Sequence, residues 1–207
     1  MEIAECLLSE DNRCPLGNAT LGERVRAGGA DRLWELRPRP VDTVVVHYIS
    51  AVDIEPSRPY DRDLILGIFC TYGVSSHYLV ERDGAVMRLV PESAKAWHCG
   101  GSVMPEPDER TGVNDFSIGI ELVATHDSGF TDAQYGALVH LCGDIGARWT
   151  SPLRIVGHEH IAGCRAVARG LREEAKCDPG PRFDWGRFAA GLVPAGRSVG
   201  EGLIWDV

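Results

Sequence analysis

The 207-residue sequence contains no apolar run that approaches the about 20 residues needed to cross a bilayer, which excludes an integral membrane protein. Basic residues are absent from residues 1–11, which therefore lack the n-region of a secretory signal peptide. None of the seven cysteines forms a CxxC pair, which excludes a zinc ribbon and a thioredoxin motif. An odd number of cysteines without a leader favours free thiols and a cytoplasmic location. A chain trimmed of its leader would look the same, so secretion stays the alternative.

Positive charge is also scarce in this sequence. It has 21 lysine and arginine residues against 30 aspartate and glutamate residues, which gives a net charge of −9. Such a chain would repel a phosphate backbone, so nucleic acid is not expected as a partner. The apolar fraction of 44% and the charged fraction of 25% are typical of a globular protein that buries a core. The length fits one domain with appendages or two small domains.

The distribution of proline, glycine and apolar residues divides the chain into three parts. Residues 1–40 contain three prolines and little periodicity, and we interpret them as an N-terminal extension with one short helix at 31–36. Residues 41–190 contain the regular apolar patterns and are expected to form the domain. Residues 191–207 are rich in glycine and are expected to form an irregular tail.

Apolar periodicity within residues 41–190 predicts alternating strands and helices. The β-branched residues of 42–47 indicate a buried strand, and Asp83-Gly84 indicates a hairpin between strands at 77–81 and 85–90. Thr131 and Gln134 have the spacing of a capping box, which begins a helix that extends to about residue 149. Further strands are predicted at 117–123 and 154–156, and further helices at 61–72, 164–176 and 184–190. This mixture predicts a single α/β domain with a central mixed β-sheet flanked by helices.

Three polar residues stand where side chains could bind a metal ion. His47 ends the first buried strand, His158 follows the strand at 154–156 after one residue, and Asp178 lies in a Lys-Cys-Asp-Pro-Gly-Pro segment. Strand ends place side chains at the rim of a sheet, where loops can complete a site. Two imidazoles and one carboxylate are a usual protein ligand set of a catalytic zinc ion. The spacing alone leaves structural roles open for both histidines.

Five collinear segments carry a more specific signal. They are residues 73–84, 89–92, 96–100, 114–121 (Asn-Asp-Phe-Ser-Ile-Gly-Ile-Glu) and 178–181 (Asp-Pro-Gly-Pro). Through them, residues 42–190 resemble the zinc-dependent N-acetylmuramoyl-L-alanine amidases, a family that includes AmpD-type anhydromuropeptide amidases, phage amidase lysozymes and animal peptidoglycan recognition proteins. The segments at 114–121 and 178–185 most resemble the AmpD-type branch. The resemblance implies an α/β fold with zinc in a surface groove.

The resemblance also implies roles for individual residues. His47, His158 and Asp178 match the ligands of the Zn2+ cofactor. Glu121 matches the catalytic carboxylate, and Lys176 matches the lysine that faces the scissile carbonyl. The residues expected to contact substrate are Tyr48, Trp97, His98, Arg110 and Asn114.

Some positions depart from the AmpD-type pattern. Tyr48 replaces an asparagine that follows the first zinc histidine in that branch. Arg110 stands in for an arginine that precedes the Asn-Asp pair there. Seventeen residues separate His158 from Lys176, where a connection of only a few residues is expected. These departures concern the part of the groove that would hold the substrate.

The remaining histidines and one cysteine have competing interpretations. His98 could line the groove or simply pack beside its neighbours. His77 is expected to be a hydrogen-bonded core residue, and the resemblance favours His158 over His160 as the metal ligand. Cys177 is expected to point away from the metal site, since Asp178 occupies the ligand position.

The activity that the resemblance implies is hydrolysis of the amide bond between N-acetylmuramic acid, in its 1,6-anhydro form, and L-alanine of the stem peptide during peptidoglycan recycling. The expected partner is therefore a muropeptide or peptidoglycan. Three alternatives stay open: a lytic amidase that acts on intact peptidoglycan, a catalytically inactive muropeptide-binding module, and a structural zinc protein with Cys177 as a fourth ligand. The presence of all five expected metal-binding and catalytic residues favours an enzyme.

Overall fold

The computed structural model describes residues 1–8, 33–149 and 153–192. Eight strands are present in these ranges, namely β1 (Ile3–Glu5), β2 (Trp34–Leu36), β3 (Thr43–Ile49), β4 (Tyr78–Val80), β5 (Val86–Arg88), β6 (Ala94–Ala96), β7 (Ser117–Val123) and β8 (Arg154–Gly157). The helices of the same ranges are α1 (Arg62–Tyr72), α2 (Asp132–Arg148), α3 (His158–Ala162), α4 (Cys164–Ala168) and α5 (Trp185–Leu192), and a 3-10 turn (Val113–Asp115) precedes β7. No helix of these ranges is long and apolar enough to cross a membrane.

Six of these strands form one mixed sheet in the order β1-β5-β4-β7-β3-β8. The pair β4 and β5 is antiparallel, and the other neighbours are parallel. Strands β2 and β6 pair separately as a two-stranded antiparallel sheet. The predicted α/β domain with a central mixed sheet is confirmed, and so is the hairpin around Asp83-Gly84.

Side chains alternate between the two faces of the main sheet, and the two faces have different surroundings. On one face, apolar side chains of β3, β4 and β7 pack with those of α2 and α5 in the largest core cluster. On β7, Ile118, Ile120 and Leu122 point to this face. The residues between them, including Gly119 and Glu121, therefore point to the opposite face. That second face packs against α1 and the segment 97–116, and the polar site lies there.

The capping box predicted for α2 is present. The Thr131 hydroxyl accepts a hydrogen bond from the Gln134 backbone N–H, and the Gln134 side chain accepts one from the Thr131 backbone N–H. The Gln134 amide also donates to the carbonyls of Val80 and Val123, which belong to β4 and β7. This one residue therefore both begins the helix and attaches it to the sheet.

Two secondary-structure predictions are wrong. The predicted helix at 31–36 is, from Trp34 onward, strand β2, because its backbone pairs with β6; residues 31 and 32 lie outside the described ranges. The predicted helix at 164–176 ends at Ala168, because Gly170 adopts a left-handed conformation with φ 68°. Residues 169–176 continue as irregular chain.

The N-terminal extension is only partly irregular. Residues 3–5 form β1, which pairs with β5 at the edge of the main sheet. Most of the remaining extension, residues 9–32, and the tail from residue 193 lie outside the described ranges.

Candidate metal centre and substrate groove

The carboxyl ends of three parallel strands bring the predicted site residues together. His47 on β3 is the direct cross-strand partner of Glu121 on β7. His158 is the first residue of α3 and follows β8, the other neighbour of β3. Because parallel strands end at the same edge of a sheet, three residues that are far apart in sequence meet at one rim.

Asp178 reaches this rim on a loop that backbone contacts fix in place. Its carbonyl accepts a hydrogen bond of 2.8 Å from the Glu159 N–H. Gly157 leaves room for this approach, since a Cβ atom there would lie 2.8 Å from Pro179 Cδ. A glycine before His158 is therefore a packing requirement of the aspartate loop.

The donor atoms of His47, His158 and Asp178 lie within 4.8 Å of one another. Asp178 Oδ2 is 3.0 Å from His47 Nδ1 and 3.1 Å from His158 Nδ1. Tetrahedral zinc with ligand distances near 2.0–2.1 Å would separate its ligand atoms by roughly 3.3 Å. Burial alone would raise the pKa of Asp178, but the contacts with the two imidazoles outweigh it and hold the pKa well below its usual range. The aspartate is therefore a carboxylate, the form that binds metal.

The tautomer of His158 fits a cation at this position. Its Nε2 lies 3.2 Å from the Cys99 carbonyl oxygen, which can only accept, so Nε2 carries the proton. In the neutral ring, Nδ1 then presents a lone pair to the Asp178 carboxylate 3.1 Å away. Two acceptors at this distance repel each other unless a proton or a cation lies between them. A backbone carbonyl that orients the other nitrogen is a usual partner of a metal-binding histidine.

The second nitrogen of His47 contacts His98. The distance from His47 Nε2 to His98 Nδ1 is 3.0 Å, and the Ser117 hydroxyl lies 3.3 Å from His98 Nε2. Gly119 makes room for this ring, since a Cβ atom there would lie 2.5 Å from His98 Cγ. His98, Cys99 and His47 form a second group of possible ligand atoms among the described residues. His98 therefore contacts a candidate ligand directly in addition to lining the groove.

Glu121 is buried beside the three candidate ligands. Its Oε2 atom has no hydrogen-bond partner among the described residues. Burial and the Asp178 carboxylate raise the pKa of Glu121 well above its usual range, although the positive charge of Lys176 lowers it. A buried carboxyl group with a free oxygen and a raised pKa has the properties of a group that exchanges protons.

A groove of about 750 Å³ surrounds these side chains. Its lining includes the candidate ligands, Glu121 and Lys176, together with Tyr48, Trp97, His98 and Asn114. Asn114 also stabilises the groove wall, because its side-chain oxygen accepts hydrogen bonds from the backbone N–H groups of His98 and Cys99.

Arg110 is the expected substrate contact that lies elsewhere. Its guanidinium group binds Asp42 and Asp108 and lies over the Phe116 ring. Asp42 immediately precedes β3, so it stands at the end of that strand opposite to His47. Arg110 does not line the groove. Without an ungapped match in the sequence, nothing in the local pattern revealed the direction of this side chain.

The other histidines and Cys177 do not belong to either group of ligand atoms in the described ranges. His77 is buried and accepts a hydrogen bond from the Gly119 N–H. His160 Nδ1 accepts one from the Gly157 N–H. His126 and His140 are exposed. Cys177 is exposed as well.

Sequence reasoning missed Arg172, which lines the groove and donates to the carbonyls of Cys99 and Gly101. The unusually long segment between His158 and Lys176 was the available signal. This segment contains three arginines, but the sequence pattern does not indicate which of them points into the groove.

Comparison with known proteins gives consistent matches. The profile of the N-acetylmuramoyl-L-alanine amidase family matches residues 37–181. The 1,6-anhydro-N-acetylmuramyl-L-alanine amidase AmpD of Enterobacter cloacae is 42% identical over 162 residues, which cover 72% of this chain and 80% of the relative. The alignments with the AmpD relatives of Citrobacter freundii and Salmonella typhimurium are shorter and span 59% and 56% of the length of those relatives.

Solved structures show the same fold. The crystal structure of a selenomethionine AmpD derivative has a TM-score of 0.62 at 32% identity, covering 77% of this chain and 90% of that one. The amidase AmiD from Escherichia coli, in complex with anhydro-N-acetylmuramic acid-L-Ala-D-γ-Glu-L-Lys, has a TM-score of 0.52 at 30% identity, covering 76% of this chain and 60% of that one. The chain belongs to the N-acetylmuramoyl-L-alanine amidase family.

Proposed function

We propose that this protein hydrolyses the amide bond between 1,6-anhydro-N-acetylmuramic acid and L-alanine of the stem peptide, with zinc held by His47, His158 and Asp178. The observation that carries the proposal is the convergence of these three donors beside the buried, unpartnered Glu121 oxygen. The relatives named AmpD support the anhydromuramyl substrate, and the bound peptide of AmiD supports a groove that accepts a muropeptide.

Two imidazole nitrogens and one carboxylate form a donor set that suits zinc and leaves a fourth position for the reaction. A bound zinc ion supplies Lewis-acid chemistry, which polarises a carbonyl group and makes water more acidic. His98 and the Cys99 carbonyl hold the outer nitrogens of the two histidines, so that the inner nitrogens face Asp178. These contacts keep the ligand geometry ready for the metal.

Glu121 is the group that moves the proton. Its carboxylate takes a proton from the water whose oxygen adds to the lactyl carbonyl carbon. The same carboxyl group then delivers that proton to the L-alanine nitrogen as the C–N bond breaks. The products are a free lactyl carboxylate and a peptide with a free amino group. Burial and the Asp178 carboxylate raise the pKa of Glu121, which makes its carboxylate a stronger base for the first step.

Lys176 supplies positive charge beside the reacting carbonyl. It lines the groove, and its charge lowers the pKa values of both Glu121 and His47. A fixed cation there stabilises the negative charge that develops on the carbonyl oxygen during the addition of water.

The alternatives differ in what the groove would do. An inactive binding module would not require a buried carboxylate with a free oxygen, and a structural zinc site usually has four protein ligands. Cys177 does not complete such a set in the described part of the chain. A lytic amidase would use the same residues on intact peptidoglycan, and substrate comparison separates it from the proposal.

We also propose a cytoplasmic location, where a recycling amidase would meet soluble wall fragments. Among the described residues, Cys6, Cys99, Cys142, Cys164 and Cys177 are free thiols, which is expected in a reducing compartment.

The test compares two substrates under one condition. Zinc-loaded protein is incubated with 1,6-anhydro-N-acetylmuramoyl peptide and, separately, with intact sacculi, and mass spectrometry follows the released peptides. The proposal expects rapid release of peptide with a free L-alanine amino group from the soluble substrate. Equal or faster release from sacculi would support the lytic alternative, and binding without cleavage would support the binding module.

A further inference from the structure

The long segment between His158 and Lys176 forms part of the groove wall. Its irregular half packs tightly on the loop at 99–101, because a Cβ atom at Gly101 would lie 1.9 Å from the Leu171 carbonyl oxygen. The Lys176 N–H closes the segment with a hydrogen bond to the Ala162 carbonyl. The irregular half of the segment is thus held at Leu171 by the loop at 99–101 and at Lys176 by Ala162.

The three arginines of this segment differ in their electrostatic partners. Arg165 and Arg169 both form ion pairs with Glu109, away from the groove lining. Arg172 is half-buried in the groove and forms no ion pair with any described residue. Its guanidinium group donates only to backbone carbonyls, those of Cys99, Gly101 and Glu174. A partly buried guanidinium group without a carboxylate partner is suited to bind an anionic ligand.

Arg172 also lies close to the candidate metal centre. Its Nη1 atom is 3.2 Å from the Cys99 carbonyl oxygen, and His158 Nε2 is 3.2 Å from the same oxygen. The two nitrogens can therefore be no more than twice that distance apart. An anion bound by Arg172 would therefore lie beside the part of the groove wall that contacts the candidate ligand His158.

We infer that Arg172 forms a subsite for the free α-carboxylate of the γ-linked glutamate in the stem peptide. The inference rests on the proposed function. In a D-γ-Glu residue such as that of the AmiD ligand, the γ-carboxyl group forms the peptide bond and the α-carboxylate stays free. This carboxylate follows L-alanine directly, so it lies about 6–7 Å from the scissile carbon in an extended peptide. This distance is similar to the upper limit on the separation of Arg172 Nη1 from His158 Nε2, so the carboxylate of a peptide bound at the candidate metal centre can reach Arg172.

This subsite makes the protein selective for peptides whose glutamate is not amidated. Conversion of the α-carboxylate to an amide, as in D-isoglutamine, removes the charge but keeps the shape. A charge-assisted hydrogen bond is then replaced by a weaker neutral one. We expect kcat/KM to fall about 10- to 100-fold on amidation.

The test combines two substrates with three protein variants. Zinc-loaded protein is assayed with 1,6-anhydro-N-acetylmuramoyl-L-Ala-D-γ-Glu-L-Lys and with its D-isoglutamine counterpart. Arg172→Ala should lose activity on the acidic substrate alone, so that the preference for it disappears. Arg172→Lys should keep part of the preference. Arg169→Ala, which removes a neighbouring arginine that does not line the groove, should leave the preference unchanged. Zinc content is measured for each variant.

Two results would overturn the inference. One is a wild-type protein with equal kcat/KM on both substrates. The other is an Arg172→Ala protein that loses activity on both substrates equally, because Arg172 then acts only by holding the loop at 99–101. The dissociation constants of both ligands are also measured on zinc-loaded Glu121→Gln. A preference for the carboxylate in binding supports the subsite even if neither substrate is cleaved, whereas absent cleavage by wild type counts against the proposed function alone.

Discussion

His47 and Glu121 are direct neighbours across the parallel strands β3 and β7. Their side chains point to the same face of the sheet, whereas Val46 and Ile120 point into the core on the other face. The sheet thus holds a candidate ligand and the candidate proton-transfer group at a constant separation. Asp178 and Lys176 come from a loop, which the contact with Glu159 attaches to α3. The site therefore combines two residues on the sheet with two residues on the loop.

Metal analysis of purified, zinc-reconstituted protein should find one tightly bound zinc ion per chain. His47→Ala should lose most of this metal and all activity, because two ligands rarely suffice to hold zinc. Free zinc at a concentration about 1,000 times its Kd should raise the free energy of unfolding by about 4 kcal/mol. Chelation should therefore lower the Tm of the wild type and leave that of His47→Ala unchanged. A wild type that binds no zinc under any condition would contradict this prediction.

Glu121→Gln should keep its zinc and lose turnover by about 10²- to 10⁴-fold, the usual effect of removing a positioned acid–base group. The amide has the shape of the carboxyl group but cannot take or deliver the proton. Parallel measurement of zinc content and of kcat checks this result. If the variant instead lost its metal, Glu121 would be a ligand, and its proposed role would be wrong.

His98 should affect the metal through His47. Loss of the contact between the two rings should weaken zinc binding about 10- to 100-fold in His98→Ala. Gly119→Ala should have a similar effect, because the new Cβ atom would collide with the His98 ring. Both changes act through one contact, so the double variant should be no weaker than the stronger single variant. Zinc competition titrations measure all three, and fully additive losses would show that His98 does not carry the effect of Gly119→Ala.

Glu92 should stabilise the fold in a pH-dependent way. It accepts hydrogen bonds from Tyr78, Arg148 and Trp149. Burial raises the pKa of Glu92, but these bonds outweigh it and hold the pKa below the usual range. Glu92→Gln should therefore cost about 1.5–3 kcal/mol at neutral pH.

The sign of the pH effect follows from the lowered pKa. The stabilisation by Glu92 is fully present above the pKa of the unfolded chain, near 4.3, and is lost as the pH falls through the lower folded value. The free energies of unfolding of the wild type and of Glu92→Gln, measured with urea, should thus approach each other as the pH falls from about 4.3 through the lower folded pKa. Glu5→Gln, which removes an exposed ion pair to Arg88, serves as the control and should change stability by less than about 1 kcal/mol at any pH. A gap between wild type and Glu92→Gln that widens in acid would contradict the assignment.

Local patterns predicted much of the fold because they depend on neighbours in sequence. The β-branched run of 42–47 and the Thr131 capping box correspond to β3 and to the start of α2. Prediction failed where distant contacts decide the conformation. Trp34 is in a strand because β6 lies beside it, and the helix at 164 ends early where Gly170 turns the chain back toward the loop at 99–101.

For the site, the types and order of the residues were readable from the chain alone. The segments that contain Glu121 and Asp178 carry the resemblance to zinc-dependent amidases, and that resemblance implies the role of His47. Their meeting at one rim depends on the parallel pairing of β3 with β7 and β8. Pairing between residues more than 70 positions apart leaves no trace in local periodicity, because it is decided by packing of the whole sheet.

Side-chain direction was the part that the tertiary structure alone decided. Arg110 was expected in the groove, but Asp42 and Asp108 bind it near the start of β3. Arg172 gave no signal of its own, and the packing of its segment on the loop at 99–101 brings it into the groove. A long cationic side chain follows the nearest acceptors in space, and those acceptors come from parts of the chain that only folding brings together.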